Sequence, residues 1–398
     1  MENKLPEGWE WKKLGEIAEI NPKFDKKSVS ESTEVTFLPM KCIEELTGNV
    51  DTSITKSLEE VSKGYTPLIE NDLIYAKITP CMENGKAAIA TGLKNNLGFA
   101  STEFHVIRFK KNAYNKFFFF YLIQKRIREH AAMNMTGSAG QKRVPATFLK
   151  NLLVPLPPLE TQQKIVSILE KAEETRKLRA QADELTQKLL QSVFLEMFGD
   201  PVKNSREWKL HKLGEIGNWT SGGTPSRSMP EYFHGEIPWF TAGELNDSYV
   251  YGSKEKITKE ALNSSSAKLF PAGTMLIGMY DTAAFKMGIL KNPASSNQAC
   301  AAFSPKVEVI NTLFALYLFK EMKDSFLSQR RGIRQKNLSQ SIIKKFEVPV
   351  PPIELQKQFA DMVQKIDQIK ESQKQSSLET NNLFDALMQK AFTGKLVS

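Results

Sequence analysis

The chain has 398 residues, with 54 Lys plus Arg against 45 Asp plus Glu and a net charge of +9. Its 41% hydrophobic and 25% charged residues exclude wholesale disorder, and at ~150 residues per domain the length makes two or three domains. The longest apolar run, Phe117 to Ile123, is far below the ~20 residues that cross a bilayer. The start lacks a basic and apolar leader, and Cys42, Cys81 and Cys300 form no Cys-x-x-Cys motif, so we expect a cytoplasmic protein without membrane contact or a disulfide framework.

The first element to stand out is Trp9, followed by Leu14, Gly15, Glu16 and Ile17. Short strand-like runs follow at Val35–Leu38 and Asp72–Ala76, bounded by turn residues. The polar segment 77–86 after the second run carries Lys77, Thr79, Glu83, Asn84 and Lys86. Phe117–Ile127 reads as a core helix. Residues 101–150 hold 10 basic and 2 acidic side chains, and near their end lies a Gly-rich basic stretch, 136–143, with Ser138, Gln141, Lys142 and Arg143. Pro155, Pro157 and Pro158 can continue neither a helix nor a central strand, so they mark a boundary. From Glu160 to Phe198 no Gly or Pro interrupts a composition rich in Gln, Lys, Glu, Ala and Leu, which predicts one long helix.

The chain then begins again. Trp208, Leu213, Gly214, Glu215 and Ile216 repeat the opening at an offset of 199. Ser221, Thr224, Ser226 and Arg227 form a second polar, Gly-containing loop, Thr274–Ile277 reads as a strand, and Thr312–Met322 as a core helix. Residues 301–350 hold 9 basic and 4 acidic side chains, with Arg330, Arg331, Arg334, Gln335 and Lys336 clustered just before Pro349, Pro351 and Pro352. A second uninterrupted helical stretch runs from Glu354 to Phe392. Two copies at so long a period point to a pseudo-two-fold molecule and not to a solenoid. We therefore expect an α+β protein with two similar mixed globular parts, 1–157 and 201–351, and two long helices in 158–200 and 352–398. Trp9 and Trp208 are expected as core anchors, with base stacking the alternative.

A heptad register places Ile165, Ile168, Leu189 and Val193 on one seam, and Phe359, Met362, Ile366, Ile369, Leu383 and Leu387 on the other. Both seams are apolar at the ends and polar in the middle, which suits antiparallel pairing of the helices; packing of each helix on its own globular part is the alternative. No phosphate-binding loop, Gly-x-Ser-x-Gly elbow or zinc-ligand spacing is present, so no catalytic centre is expected. Gly, Ser, Thr and Lys suit phosphate oxygens, and Gln and Arg suit base edges. Accordingly the two basic stretches and segments 77–86 and 221–227 are the expected DNA contacts, and the basicity is expected to concentrate on two DNA-facing surfaces.

The duplicated Leu-Gly-Glu-Ile openings, Asn297-Gln298-Ala299, the helix starts at 155–162 and 349–356, and Phe392-Thr393-Gly394-Lys395-Leu396 together resemble the specificity subunit of type I restriction–modification systems. The resemblance spans essentially the whole chain. It implies two target-recognition domains joined by two long antiparallel helices, reading an asymmetric bipartite sequence in double-stranded DNA. It also implies two methyltransferase subunits and ATP-dependent motor-nuclease subunits as partners, with S-adenosylmethionine, ATP and Mg²⁺ belonging to those partners. A stand-alone nuclease or methyltransferase with unrecognised motifs is the enzymatic alternative, and a coiled-coil scaffold without a DNA role is the structural one.

Overall fold

A computed structural model describes residues 5–24, 29–138, 140–328 and 338–397. The chain divides into two compact units, Met1–Arg179 with Ser376–Ser398 (unit 1) and Ala180–Gln375 (unit 2). The division falls inside the long helices, so each unit holds one globular part and half of each helix.

Unit 1 runs through strands β1 (Glu10–Lys13), β2 (Ala18–Ile20), β3 (Glu34–Leu38), β4 (Thr55–Ser57), β5 (Thr66–Ile69), β6 (Leu73–Ala76), β7 (Ala87–Ile89), β8 (Leu97–Ala100) and β9 (Phe104–Phe109). Helices α1 (Asn115–Leu122) and α2 (Lys125–Met133) follow, then β10 (Leu153–Leu156) and the long α3 (Leu159–Phe198). One sheet has the order β2-β9-β6-β7 and is antiparallel throughout. A second, β4-β3-β8-β5, contains the parallel pair β3–β8. All four residues of β6 are buried, which explains why it reads as a continuous apolar run instead of an alternating one. The helix expected over 117–127 is two helices. In α1 Phe117 to Leu122 are all buried, whereas α2 buries only Ile127 and Ala131. An all-round apolar helix and a one-faced helix need different surroundings, and the extended Gln124 (φ −57°, ψ 138°) makes the turn between them.

Unit 2 continues with β11 (Leu210–Lys212), β12 (Gly217–Ser221), β13 (Ile237–Phe240), β14 (Ser248–Val250), β15 (Glu255–Ile257), β16 (Met275–Gly278), β17 (Met287–Leu290), β18 (Ser295–Ser296) and β19 (Cys300–Pro305). After these come α4 (Thr312–Glu321), β20 (Glu347–Pro349) and the second long helix, α5 (Ile353–Ala391). Its sheets are β12-β19-β16-β17-β14 and β15-β13-β18, the second again holding a parallel pair, β13–β18. The duplication in sequence is thus a duplication of topology, with β14 added at one edge of the first sheet and the counterpart of β5 reduced to the single bridge Phe270–Ala294 at the edge of the second. In both units the Pro-rich segment forms one strand of a two-stranded ribbon, β1–β10 and β11–β20, where proline's missing N–H is tolerated.

The repeated motifs are the joints of this frame. Gln162, fully buried, accepts from the Tyr114 N–H (2.7 Å) and donates to the carbonyls of Asn112 (3.0 Å) and Pro157 (2.8 Å). Gln356 repeats all three bonds with Asn311 (2.8 Å), Val309 (3.0 Å) and Pro351 (2.7 Å). Leu14 and Leu213 are fully buried, and their N–H groups bond the carbonyls of Leu152 and Phe346. A Cβ on Gly15 or Gly214 would sit 3.1 or 3.3 Å from the carbonyl oxygen of Lys150 or Lys344. Trp9 and Trp208 are half-buried, Trp9 against the unit 1 core and Trp208 donating its indole N–H to the Phe198 carbonyl.

The helices pair within each unit, and they also pack on their globular parts. In unit 2 Thr186 meets Gln373 (3.1 Å), while Phe194 and Phe198 meet Phe359 (ring centroids 5.5 and 5.6 Å), so the two run antiparallel. In unit 1 Arg176 bonds Asn381 (3.0 Å) and lies over the Phe384 ring. The heptad register needs correction. Ile165, Phe359 and Ile366 are buried, and Ile168, Val193, Met362 and Leu387 are half-buried. Leu189, Ile369 and Leu383 are 47%, 51% and 57% exposed, and the residues that bury the seam beside them are Leu190 and Phe384. A helix with 3.6 residues per turn drifts ~20° per heptad from a strict 3.5 repeat, which moves the seam by about one position over α3.

Candidate nucleic-acid interface

In unit 1 the fold brings two of the expected segments to one place. The connection 77–86 leaves β6 and returns into β7, and 136–143 forms a hairpin. Thr136 and Arg143 exchange both backbone hydrogen bonds (2.9 and 2.8 Å), closing the six-residue tip. Thr79 N–H donates to the Lys142 carbonyl (3.1 Å), and Val144 N–H to the Lys77 carbonyl (2.9 Å). Ser138, Gln141 and Lys142 are exposed at the tip, Lys77 is half-buried beneath it, and Asn84 is exposed nearby. Gly137, at φ +120°, supplies the left-handed turn that lets the tip fold back.

Several expected contacts are tied into the protein itself. The Arg143 guanidinium makes a two-bond pair with the Glu103 carboxylate (Nε–Oε2 2.9 Å, Nη2–Oε1 2.8 Å). The same guanidinium, helped by Lys77, holds the Glu103 carboxyl below its ordinary value. Thr79 donates to Glu83 Oε1 (3.4 Å), and the Glu83 carbonyl accepts from Arg128. Asn84 donates to Glu45 (3.0 Å), and Lys86 to the Met40 carbonyl (3.4 Å). The segment that braces the connection, 40–51, was not among the expected contacts.

In unit 2 the corresponding connection is 279–286, between β16 and β17. Met279 N–H bonds the Ala299 carbonyl (2.9 Å) as Lys77 N–H bonds the Glu103 carbonyl (2.9 Å). Leu338 N–H bonds the Met279 carbonyl as Val144 N–H bonds that of Lys77. Sequence reading missed 279–286, although matching the two core strands, β6 and β16, would have found it. Arg330, Arg331, Arg334, Gln335 and Lys336 lie outside the described residues. Segment 221–227 leaves the larger sheet at Ser221 and runs onto the smaller one, where Gly223 N–H bonds the Ser296 carbonyl. Thr224 donates to Gln298, Ser221 pairs with Ala301 in the β12–β19 ladder, and exposed Ser226 bonds Ser228 (2.7 Å). A Cβ on Gly222 would collide with the carbonyls of Ser296 and Asn297, so this glycine admits the protein's own backbone and not a phosphate. Arg227 pairs with Glu255 through two bonds (2.6 and 2.8 Å) and stacks on Phe233 (4.1 Å), which leaves its fork occupied.

The concentration of basicity on a DNA-facing surface also needs correction. Of the ten basic side chains in 101–150, the hairpin carries only Lys142 and Arg143. Arg108 pairs with buried Asp72 (2.7 Å), Lys116 with Glu170 and Lys125 with Glu129, while Lys110 bonds the Glu16 carbonyl (2.7 Å).

The sequence model of the type I restriction modification DNA specificity domain matches residues 6–187 and 205–380, one match per globular part. The chain belongs to this family. Similar specificity-domain proteins include the EcoAI specificity subunit of Escherichia coli, 44% identical over 41% of this chain and 28% of that protein. The EcoEI specificity subunit of the same organism is 42% identical over 42% of this chain and 28% of its own length. The match therefore spans under a third of each of these relatives. A putative MjaX specificity subunit of Methanocaldococcus jannaschii is 22% identical over 99% of this chain and 95% of its length. Among solved structures, a chain of a type I restriction–modification assembly aligns with a TM-score of 0.68 at 23% identity, covering 99% of this chain and all of that one. The specificity subunit of Thermoanaerobacter tengcongensis aligns with a TM-score of 0.55, also at 23% identity, over 99% of this chain and 98% of its own. Both likenesses concern the fold. Among the described residues no helix is long and apolar enough to cross a membrane.

Proposed function

We propose that this chain is the non-catalytic DNA-reading subunit of a type I restriction–modification complex in the cytoplasm. Unit 1 reads one half-site of an asymmetric bipartite duplex and unit 2 the other. The long helices set the spacing of the half-sites and dock two methyltransferase subunits, with motor-nuclease subunits joining for cleavage. S-adenosylmethionine, ATP and Mg²⁺ act in those partners. The observation that carries this reading is a connection between the same two core strands, anchored by the same backbone hydrogen bonds, at the same place in both units. Two equivalent reading ends on one chain suit two half-sites.

Exchanging residues 201–351 for those of another specificity subunit tests it. Mapping of the methylated sequence is expected to give a new second half-site beside an unchanged first one. A change in both half-sites, or in neither, overturns the assignment of one unit to each.

A further inference from the structure

The hairpin of unit 1 is held from behind, and among the described residues the position of the group that holds it is taken in unit 2 by an alanine. Its return leg is fixed at three points to Glu103 and to β9, which begins at the next residue. Val144 N–H bonds the Lys77 carbonyl, and Lys77 N–H in turn bonds the Glu103 carbonyl. His105 Nε2 meets the Val144 carbonyl at 2.8 Å. The third point is the Arg143–Glu103 pair, whose remaining Arg143 nitrogen, Nη1, donates to the Gln141 carbonyl (2.9 Å) and so reaches into the tip. Glu103 precedes Phe104, which is 1% exposed, on a strand bonded on both sides, so the carboxylate stands on a rigid base. A planar guanidinium with three of its nitrogens engaged fixes orientation as well as distance. In unit 2 the residue whose carbonyl replaces that of Glu103 is Ala299, which has no carboxylate to offer.

We propose that Arg143 is a positioning residue and not a DNA contact: through Glu103 it orients the hairpin so that Gln141 and Lys142 face the first half-site. The inference rests on reading this end as the DNA-facing one. Its consequence is an asymmetry at this position, because the first half-site depends on a carboxylate where unit 2 has Ala299.

The two roles of Arg143 predict opposite responses to Glu103→Gln. This substitution removes a negative charge close to the DNA and frees the guanidinium. If Arg143 contacts DNA, affinity rises or holds. If it positions the hairpin, discrimination falls while the charges available to phosphate stay in place. The experiment uses the full chain assembled with its methyltransferase subunits. It measures affinity across a salt series for three duplexes: the methylated target, the target with one base pair changed in the first half-site, and the target with one changed in the second.

For Glu103→Gln we expect first half-site discrimination to fall about tenfold, the scale of one lost base contact. Second half-site discrimination should be unchanged, showing that the complex is folded, and the salt slope should stay within one charge of wild type. Arg143→Gln should lose first half-site discrimination to the same extent, and the double variant should be no worse than either single one. Unchanged first half-site discrimination in Glu103→Gln, or additive losses in the double variant, overturns the proposal. A wild-type complex that discriminates at neither half-site overturns the DNA-reading assignment itself, which is a separate result.

Discussion

The two globular parts share their frame and differ at the ends where β6 runs on to β7 and β16 to β17. Gln162 and Gln356 make the same three bonds, and Leu14 and Leu213 are buried in the same joint. Where the core strands approach these connections the equivalence stops. Tyr75 pairs with His105 across β6 and β9, where Ile277 pairs with Ala301 across β16 and β19. Glu103 has Ala299 as its counterpart, and connection 77–86 is replaced by the shorter 279–286. What repeats in this chain is what ties helix to ribbon to sheet. The residues that do not repeat lie where the core strands run out into their connections.

The comparison breaks most visibly if the two glutamines prove unequal. Replacing either by Leu takes the partner from one backbone N–H and two carbonyls, of which the Pro157 or Pro351 carbonyl is buried and the others partly so, at about 1–3 kcal/mol for each group left cut off from water. We expect a loss of about 3 kcal/mol or more in the affected unit, of similar size for Gln162→Leu and Gln356→Leu. Urea denaturation with hydrogen exchange assigned to peptides of each unit would measure it. A large loss from one and almost none from the other would mean that the joints are alike in geometry and unlike in energy.

The helices give a sharper test at a single position. Leu190 is 2% exposed and packs in the unit 2 core, while its neighbour Leu189 is 47% exposed. Leu190→Ala is expected to cost about 2–5 kcal/mol, and Leu189→Ala to stay within about 0.5 kcal/mol, by the same denaturation measurement on the isolated chain. The reverse order would restore the strict heptad register. The pair also indicates which features were legible in the sequence. The duplication, the helix starts after Pro158 and Pro352, and β3, β6 and β16 could be read directly, because proline chemistry and apolar runs act locally. The phase of the seam could not, since it depends on what the globular parts press against each helix. The candidate interface was half legible. Segments 77–86 and 136–143 carried polar and basic residues that marked them. Glu103, however, lies between them in sequence with nothing local to announce its pairing with Arg143, and the bracing segment 40–51 has no motif at all.

The smallest expected effect concerns acidity and follows from His105. The Val144 carbonyl can only accept, so the His105 proton sits on Nε2, and Nδ1 receives the Asn21 Nδ2–H at 3.0 Å. Turning the Asn21 amide to accept a second imidazole proton would break the bond from Val106 N–H to Asn21 Oδ1 (3.0 Å). Burial lowers the His105 pKa from its ordinary 6.5, and Lys77 adds to the shift against the opposing hydrogen bond to Val144. Below pH 6.5 the unfolded chain therefore takes up a proton that the folded unit 1 refuses, and stability falls with pH in that window while remaining flat above it. Unit 2, with Ala301 at the equivalent rung, has no such group at that position. Hydrogen exchange at pH 5.5 and 7.5, corrected for the intrinsic pH dependence of exchange, should show the β9 peptides losing protection at the lower pH and the β19 peptides holding theirs. In His105→Gln the β9 peptides should lose this pH dependence. A wild-type β9 as indifferent to pH as β19 would mean that the imidazole accepts its second proton without cost, and that the two core strands are more alike than their residues suggest.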